Sequence, residues 1–304
     1  MIHRKLQAIF LIILLITACQ TSSADGTTPV ESTQAEAVAS QTATPEPTPS
    51  ATVAPPSPTP NYSPTPDTRL TSHYWREWPV VPPLSIYAQT ILANALQGGK
   101  LDPHTFSKVG DCQMTSDTFL GGYALGKYPI PDGHEATVEW FSISMTSESV
   151  TAEKGLGISS VLNPMFGFGA GYKQCKRNES PIDCELRTRK PAVVLIGMGT
   201  NWIPNAELKF DQYLREVVDT IINAGALPIL ATKADNVEED WMLNETIVQV
   251  AYEYDLPLVN VWRSVQDLPG RGIERKIYLT PDGWLRRNEA WLKTLSLVQA
   301  EFNK

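Results

Sequence analysis

The chain has 304 residues, is 42% hydrophobic and 19% charged, and carries a formal net charge of −8. That acidic balance, with no basic stripe anywhere, argues against a nucleic-acid partner. No internal repeat and no second membrane span is found.

Residues 1–19 read as a targeting segment and are set apart from the fold. His3, Arg4 and Lys5 form a basic start, and residues 8–16 (AIFLIILLI) form an apolar stretch. That stretch is too short for a mature spanning helix, which needs about 20 residues. It ends in Ile16-Thr17-Ala18-Cys19, which resembles a bacterial lipobox with Cys19 as the lipidated residue. The alternative is an ordinary signal peptide with an incidental cysteine. The lipobox implies an exported protein, lipid-anchored to the bacterial cell membrane and facing away from the cytoplasm, with the bilayer as its partner. More than one acyl chain would hold it firmly.

Residues 20–68 change character to Ser, Thr, Pro, Ala and Glu, with TPEPTPSATVAPPSPTP at their centre. Almost nothing there can be buried, so the segment is expected to be a disordered tether. Its prolines favour extended polyproline II at ~3.1 Å per residue. Residues 69–304 remain, long enough for one domain with a large core, expected to act as a monomer.

Of the four cysteines, Cys19 is assigned to lipid. Cys175 and Cys184 flank the polar, turn-rich KRNESPID. In an oxidising envelope this close pair is expected to form a disulfide pinning a surface loop. A metal site is disfavoured because no histidine or further cysteine lies nearby in sequence. Cys112 is left over.

Within the domain, residues 106–110 (FSKVG) form a short strand candidate running into Asp111 and Cys112. Residues 191–197 (PAVVLIG) form a continuous apolar run, as expected of a strand buried on both faces. Asn205 is a good N-cap for the helix that follows, where Leu214, Val217, Val218, Ile221 and Ile222 recur at helical spacing and Gly225 stops it. A strand over 226–232, a helix over 241–254, a strand over 256–262 and a closing helix over 288–302 complete the pattern. This alternation implies right-handed crossovers and an α/β fold, a three-layer α/β/α sandwich with a mainly parallel, flavodoxin-like sheet. Ligand sites in such sheets lie at the carboxyl ends of the strands.

Four segments sit at or near those ends: Gly110-Asp111-Cys112, Lys154-Gly155-Leu156-Gly157, Gly197-Met198-Gly199-Thr200-Asn201 and Leu279-Thr280-Pro281-Asp282-Gly283. In this order they resemble the blocks of the SGNH (GDSL) hydrolase superfamily: Gly-Asp-Ser, a block-two glycine, Gly-x-Asn-Asp and Asp-x-x-His. The resemblance spans residues 106–303 and implies acyl-ester hydrolysis without a cofactor or metal. A serine attacks the carbonyl, a histidine carries its proton and an aspartate orients the histidine. Backbone amides and an asparagine side chain hold the oxyanion. Carried over, Cys112 stands at the nucleophile, Gly155 or Gly157 at the block-two glycine, Asn201 at the oxyanion asparagine and Asp282 at the orienting aspartate.

The departures weigh more than the matches. Leu285 occupies the histidine position and Trp202 the second acid of the third block. Leucine carries no proton, and losing the triad histidine costs about 10⁶ in kcat in the measured serine-protease case, some 8 kcal/mol of barrier. A thiol needs less activation than a hydroxyl, so a histidine from another loop (His73, His104 or His134) could still assist Cys112. The plainer readings are that Cys112 is a small filler or a redox-sensitive thiol. Likewise Asn201 could satisfy loop backbone groups and Asp282 could cap the last helix.

Three expectations follow. The first is a catalytically degenerate SGNH-type protein binding an acylated or glycan ligand. The second is an active esterase or deacetylase using Cys112, and the third a structural envelope protein with a vestigial pocket. Glycine- and aromatic-rich loops over 123–133 and 166–172 would suit a sugar face.

Overall fold

The computed structural model describes residues 70–201 and 207–304. The lipobox with Cys19, the linker, Trp202 and the Asn205 cap lie outside the described residues. In chain order the helices are α1 (Ile86–Leu96), α2 (Gly121–Ala124), α3 (Glu135–Thr146), α4 (Pro181–Arg189), α5 (Glu207–Asn223), α6 (Met242–Glu253), α7 (Val261–Ser264) and α8 (Pro281–Phe302). The strands are β1 (Asp102–Gly110), β2 (Pro191–Gly197), β3 (Leu227–Ala231), β4 (Leu258–Val259), β5 (Ile273–Glu274) and β6 (Tyr278–Leu279).

β1 to β4 form one parallel sheet in that order, and β5 and β6 a small antiparallel pair. On the other edge of β1, Ala152 bridges Gly110 in parallel. The chain therefore leaves β1, pairs on one side of it, and crosses to β2 on the opposite side. This reversal puts a topological switch point at the carboxyl end of β1, where open α/β sheets bind their ligands. Helices α1, α3 and α8 pack on one face, and α4, α5 and α6 on the other. The result is a three-layer α/β/α sandwich, as the alternating pattern implied.

The apolar run of β2 is buried from Ala192 to Ile196, between helices on both sides. Phe106, Val109, Leu227, Ile229 and Leu230 join it in a core that reaches Trp291, Leu295 and Val298 of α8. The compact unit Thr65–Lys304 contains this core and a small satellite around the Cys175–Cys184 disulfide. A unit that encloses its own core meets the condition for folding as a separate domain.

Element boundaries differ from the sequence expectation in several places, β1 starting at Asp102 and not at residue 106. The last helix starts at Pro281, not at residue 288, because Thr280 caps it: its side chain accepts from Gly283 N at 3.1 Å, and proline at the first helical position needs no N–H partner. The strand expected over 256–262 shortens to Leu258–Val259, because the Asn260 side chain accepts from Arg263 N at 3.1 Å and turns the chain into α7.

Candidate functional site

The site is built where β1 and β2 end side by side. Gly110 and Gly197 are register partners. A Cβ on Gly110 would lie 2.2 Å from Met114 Cγ, and one on Gly197 would lie 2.6 Å from Met114 Sδ. Two facing glycines thus make room for Met114 to fold back beneath the turn that carries Asp111 and Cys112. The turn itself is closed by Met114 N donating to Asp111 O at 2.9 Å.

Asp111 is buried and ties two loops together. Its Oδ1 accepts from Gln113 N at 3.1 Å and its Oδ2 from Thr200 N at 3.0 Å. Burial raises its pKa above the usual carboxylate value, and those two amide hydrogen bonds and the nearby Arg287 charge oppose the shift. Cys112 is half-buried and is not part of a disulfide. Its carbonyl accepts from Thr118 Oγ1 at 2.9 Å and from Thr115 Oγ1 at 3.2 Å.

Behind this turn lies Arg287 of α8, 3% exposed. Its Nη2 donates to Met114 Sδ at 3.0 Å and its Nη1 to Asn288 Oδ1 at 3.3 Å. The guanidinium sits 4.9 Å from the Phe119 ring centroid and 5.3 Å from that of Trp284. Burial pushes its pKa down to about 10, while Asp111 and then Cys112 pull it back up. A buried positive charge therefore backs the thiol.

Asn201 Nδ2 donates to Leu156 O at 3.2 Å, between the two candidate glycines. Gly155 is exposed with φ +84°, and Gly157 is half-buried with φ −99°. The segment is held to β1 by Gly110 N donating to Thr151 O at 2.9 Å and Glu153 N donating to Gly110 O at 3.3 Å. The structure thus gathers Cys112, Asn201 and the Gly155–Gly157 turn around the end of β1.

The segment that leads into α8 is tied to the Cys112 turn by Gln113 Nε2 donating to Ile277 O at 3.2 Å, and Asp282 follows it. It is exposed in the first turn of α8, where a negative charge suits the helix dipole. The capping role considered for it belongs to Thr280. Leu285, at the expected histidine position, is half-buried one turn on.

The three described histidines lie elsewhere. His104 stacks on Trp140 at a ring distance of 3.9 Å, near the start of β1. It is eight residues before Cys112, a span of roughly 26 Å in extended chain. His134 precedes α3, whose Thr137 bonds to Gln299 near the far end of α8 from Arg287. His73 is exposed in a turn whose Ser72 bonds to Gln249, near the end of α6.

Two groups at the strand ends escaped the sequence reading. Arg287 looks like half of a surface Arg-Arg pair, yet it falls one helical turn from both Trp284 and Trp291, inside the apolar stripe. The second is a buried ion cluster after β3, where Lys233 Nζ meets Asp235 Oδ1 at 3.2 Å and Glu238 Oε2 at 2.5 Å. The Lys233 stem packs where a Cβ on Gly199 would lie, 2.8 Å from Cδ. Cys175, Glu179 and Cys184 bring potential metal donors together, but the two sulfurs are bonded to each other.

No family model and no curated protein matches this chain. Among solved structures it is similar to a candidate acylhydrolase from Bacteroides fragilis NCTC 9343, at 12% identity and TM-score 0.43 over 68% of this chain and 95% of that one. It is also similar to a GDSL-like lipase from Bacteroides thetaiotaomicron VPI-5482, at 11% identity and TM-score 0.42 over 70% and 97%. The likeness is one of fold.

Proposed function

We propose that this is an exported, lipid-anchored SGNH-type protein whose strand-end site binds an acylated or glycan ligand without turning it over. The observation that carries the reading is the surroundings of Cys112. Leu285 replaces the histidine that the family resemblance implies, and each described histidine is engaged in another part of the fold. What supports binding is the Asn201 side chain, held on Leu156 O between the two glycines in the loop that Asp111 ties to the Cys112 turn, and the buried Arg287 charge that interacts with Cys112. Donors without a base suit a carbonyl or hydroxyl ligand better than they suit hydrolysis.

The anchor rests on Ile16-Thr17-Ala18-Cys19; no helix of the described residues is long and apolar enough to cross a membrane. Metabolic labelling with a radioactive fatty acid, lost in Cys19→Ala, tests it.

The site is tested with the fragment Thr65–Lys304. Hydrolysis of a chromogenic acetate ester is expected at the same background rate in the fragment and in its Cys112→Ala variant. An N-acetylated oligosaccharide or a short-chain acylglycerol is expected to raise the melting temperature by mass action, less so in Asn201→Ala. Turnover that vanishes with Cys112 would instead establish a cysteine hydrolase. No stabilisation by either ligand class would leave a vestigial pocket.

A further inference from the structure

One surface of this acidic protein has the opposite character. Between Glu153 and Glu179 the sequence holds no acidic residue, but it holds Lys154, Lys173, Lys176 and Arg177. The same stretch exposes Met165 by 75%, Phe166 by 43% and Phe168 by 41%. Exposed apolar side chains are ordinary when scattered, but three within four residues form a patch that calls for a partner.

The local geometry explains why these side chains face outward. Gly167, between the two phenylalanines, is buried, and a Cβ on it would approach Glu179 O at 3.1 Å and Cys175 Cβ at 3.7 Å. The loop therefore touches the body through its glycine, against the Cys175–Cys184 disulfide, and its neighbours turn to solvent. Gly171, at φ +98°, then reverses the chain toward the basic residues. Lys173, Lys176 and Arg177 are exposed, and Arg177 lies 6.0 Å from the Phe168 ring. The flanking acids are engaged: Glu153 accepts from Tyr172 Oη at 3.0 Å, and Glu179 pairs with Arg187 at 2.5 Å.

We propose that residues 164–177 form a membrane-contact finger. Met165, Phe166 and Phe168 enter the headgroup region of an anionic phospholipid bilayer, while Lys173, Lys176 and Arg177 face its surface charge. Aromatic and apolar tips flanked by cations are the chemistry that a bilayer interface selects. A net charge of −8 would otherwise repel such a surface, so the attraction must come from a local patch. The inference goes beyond the proposed site function and holds whether or not that site binds a ligand. Because Gly155 and Gly157 precede this loop by only a few residues, docking would bring the strand-end site close to the bilayer.

The test is co-sedimentation of the fragment Thr65–Lys304, which lacks residues 1–64, with vesicles of pure phosphatidylcholine or of 70:30 phosphatidylcholine and phosphatidylglycerol. The fragment is expected to sediment with the anionic vesicles and to be released as salt rises from about 0.05 M to 0.5 M. Each basic residue neutralised is expected to weaken binding about fivefold, so Lys173→Gln/Lys176→Gln/Arg177→Gln loses about a hundredfold. Phe166→Ser/Phe168→Ser is expected to lose at least tenfold. Ile143→Ser, altering a side chain 77% exposed on α3, should bind like the parent. All these positions are exposed, and unchanged near-ultraviolet circular dichroism would verify folding. Absence of binding to anionic vesicles, equal binding to neutral ones, an unaffected phenylalanine variant or an equal loss in Ile143→Ser would each overturn the finger.

Discussion

The amide of Thr200, in the loop after β2, donates to the carboxylate of Asp111, in the turn after β1, at 3.0 Å. A single buried side chain thus sets the spacing between the Cys112 turn and the loop that ends in Asn201. The loop is fixed on its other side by Asn201 Nδ2 on Leu156 O. The three segments that resemble separate sequence blocks are one hydrogen-bonded unit at the switch point of the sheet.

Asp111 and Arg287 are expected to be energetically coupled. Asp111→Asn presents an NH₂ group to one of the two amides that the carboxylate accepts, which costs about 2 kcal/mol. Arg287→Met keeps much of the buried volume and removes the cation, leaving Asp111 without the charge that opposes its raised pKa. In urea unfolding at pH 7 the double variant should recover about 1 kcal/mol or more relative to the sum of the singles. Strict additivity would mean that the charges do not communicate. Alkylation of Cys112 by iodoacetamide should also slow in Arg287→Met.

The two glycines carried over to the oxyanion position separate by backbone conformation. No atom lies within 4 Å of a Cβ on either one, but Gly155 has φ +84° whereas Gly157 has φ −99°. Gly155→Ala should therefore destabilise the fragment by about 1 kcal/mol through strain alone. Gly157→Ala should be neutral or slightly stabilising. The corresponding melting-temperature difference is about 2–4 °C, read by calorimetry. Equal effects would mean that the turn relaxes to remove the left-handed residue.

Legibility in the sequence followed from how local each signal is. The strand 191–197 announces itself because both of its faces are buried, and the amphipathic helix over 207–223 because one face alone is. The carboxyl-end rule then led to Cys112 and Asn201 without any knowledge of contacts. Helices α1, α3 and α4 carry apolar residues that form no sharp stripe, so their sequences give no clear helical signal. Arg287 and Lys233 were missed for other reasons. Arg287 is stabilised by partners distant in sequence, Met114 and Phe119, whereas Lys233, Asp235 and Glu238 lie close together in sequence but read as a surface charge run until their burial is seen. Leu285 was informative as an absence, and the remote placement of His104 and His134 gives that absence its weight.

Lys108 supplies a pH signature on β1. It is 1% exposed, its Nζ donates to Ser147 O at 2.6 Å, and burial lowers its pKa from 10.5 to about 8. With the folded value depressed, the unfolded chain holds more protons on this lysine above pH 8, so stability rises with pH in that range. Between pH 8 and pH 10 the parent fragment should gain about 2 kcal/mol relative to Lys108→Met. Tyr123 and Tyr172, pushed up by burial, titrate outside this window and are common to both proteins. Parallel stability curves for the two would show that Lys108 stays protonated or is solvated in the native state.

The ion cluster after β3 is expected to be the most sensitive support of the site. Lys233 is held by Asp235 and Glu238, and its main chain is clamped by Asn244, which accepts from Lys233 N at 2.7 Å and donates to Lys233 O at 3.1 Å. Lys233→Met keeps the stem against Gly199 but strands two buried carboxylates, a loss of about 3–5 kcal/mol. Asp235, whose pKa burial already raises against the pull of Lys233, would then favour its protonated form further in the native state. Stability from that source is present at low pH and is lost as pH rises through the raised native value, so the deficit should be smaller at pH 5 than at pH 7. Neutralising the acids as well, in Lys233→Met/Asp235→Asn/Glu238→Gln, should restore part of the loss. If Lys233→Met unfolds at the same urea concentration as the parent, the three charges are solvated and the cluster does not support the loop carrying Asn201.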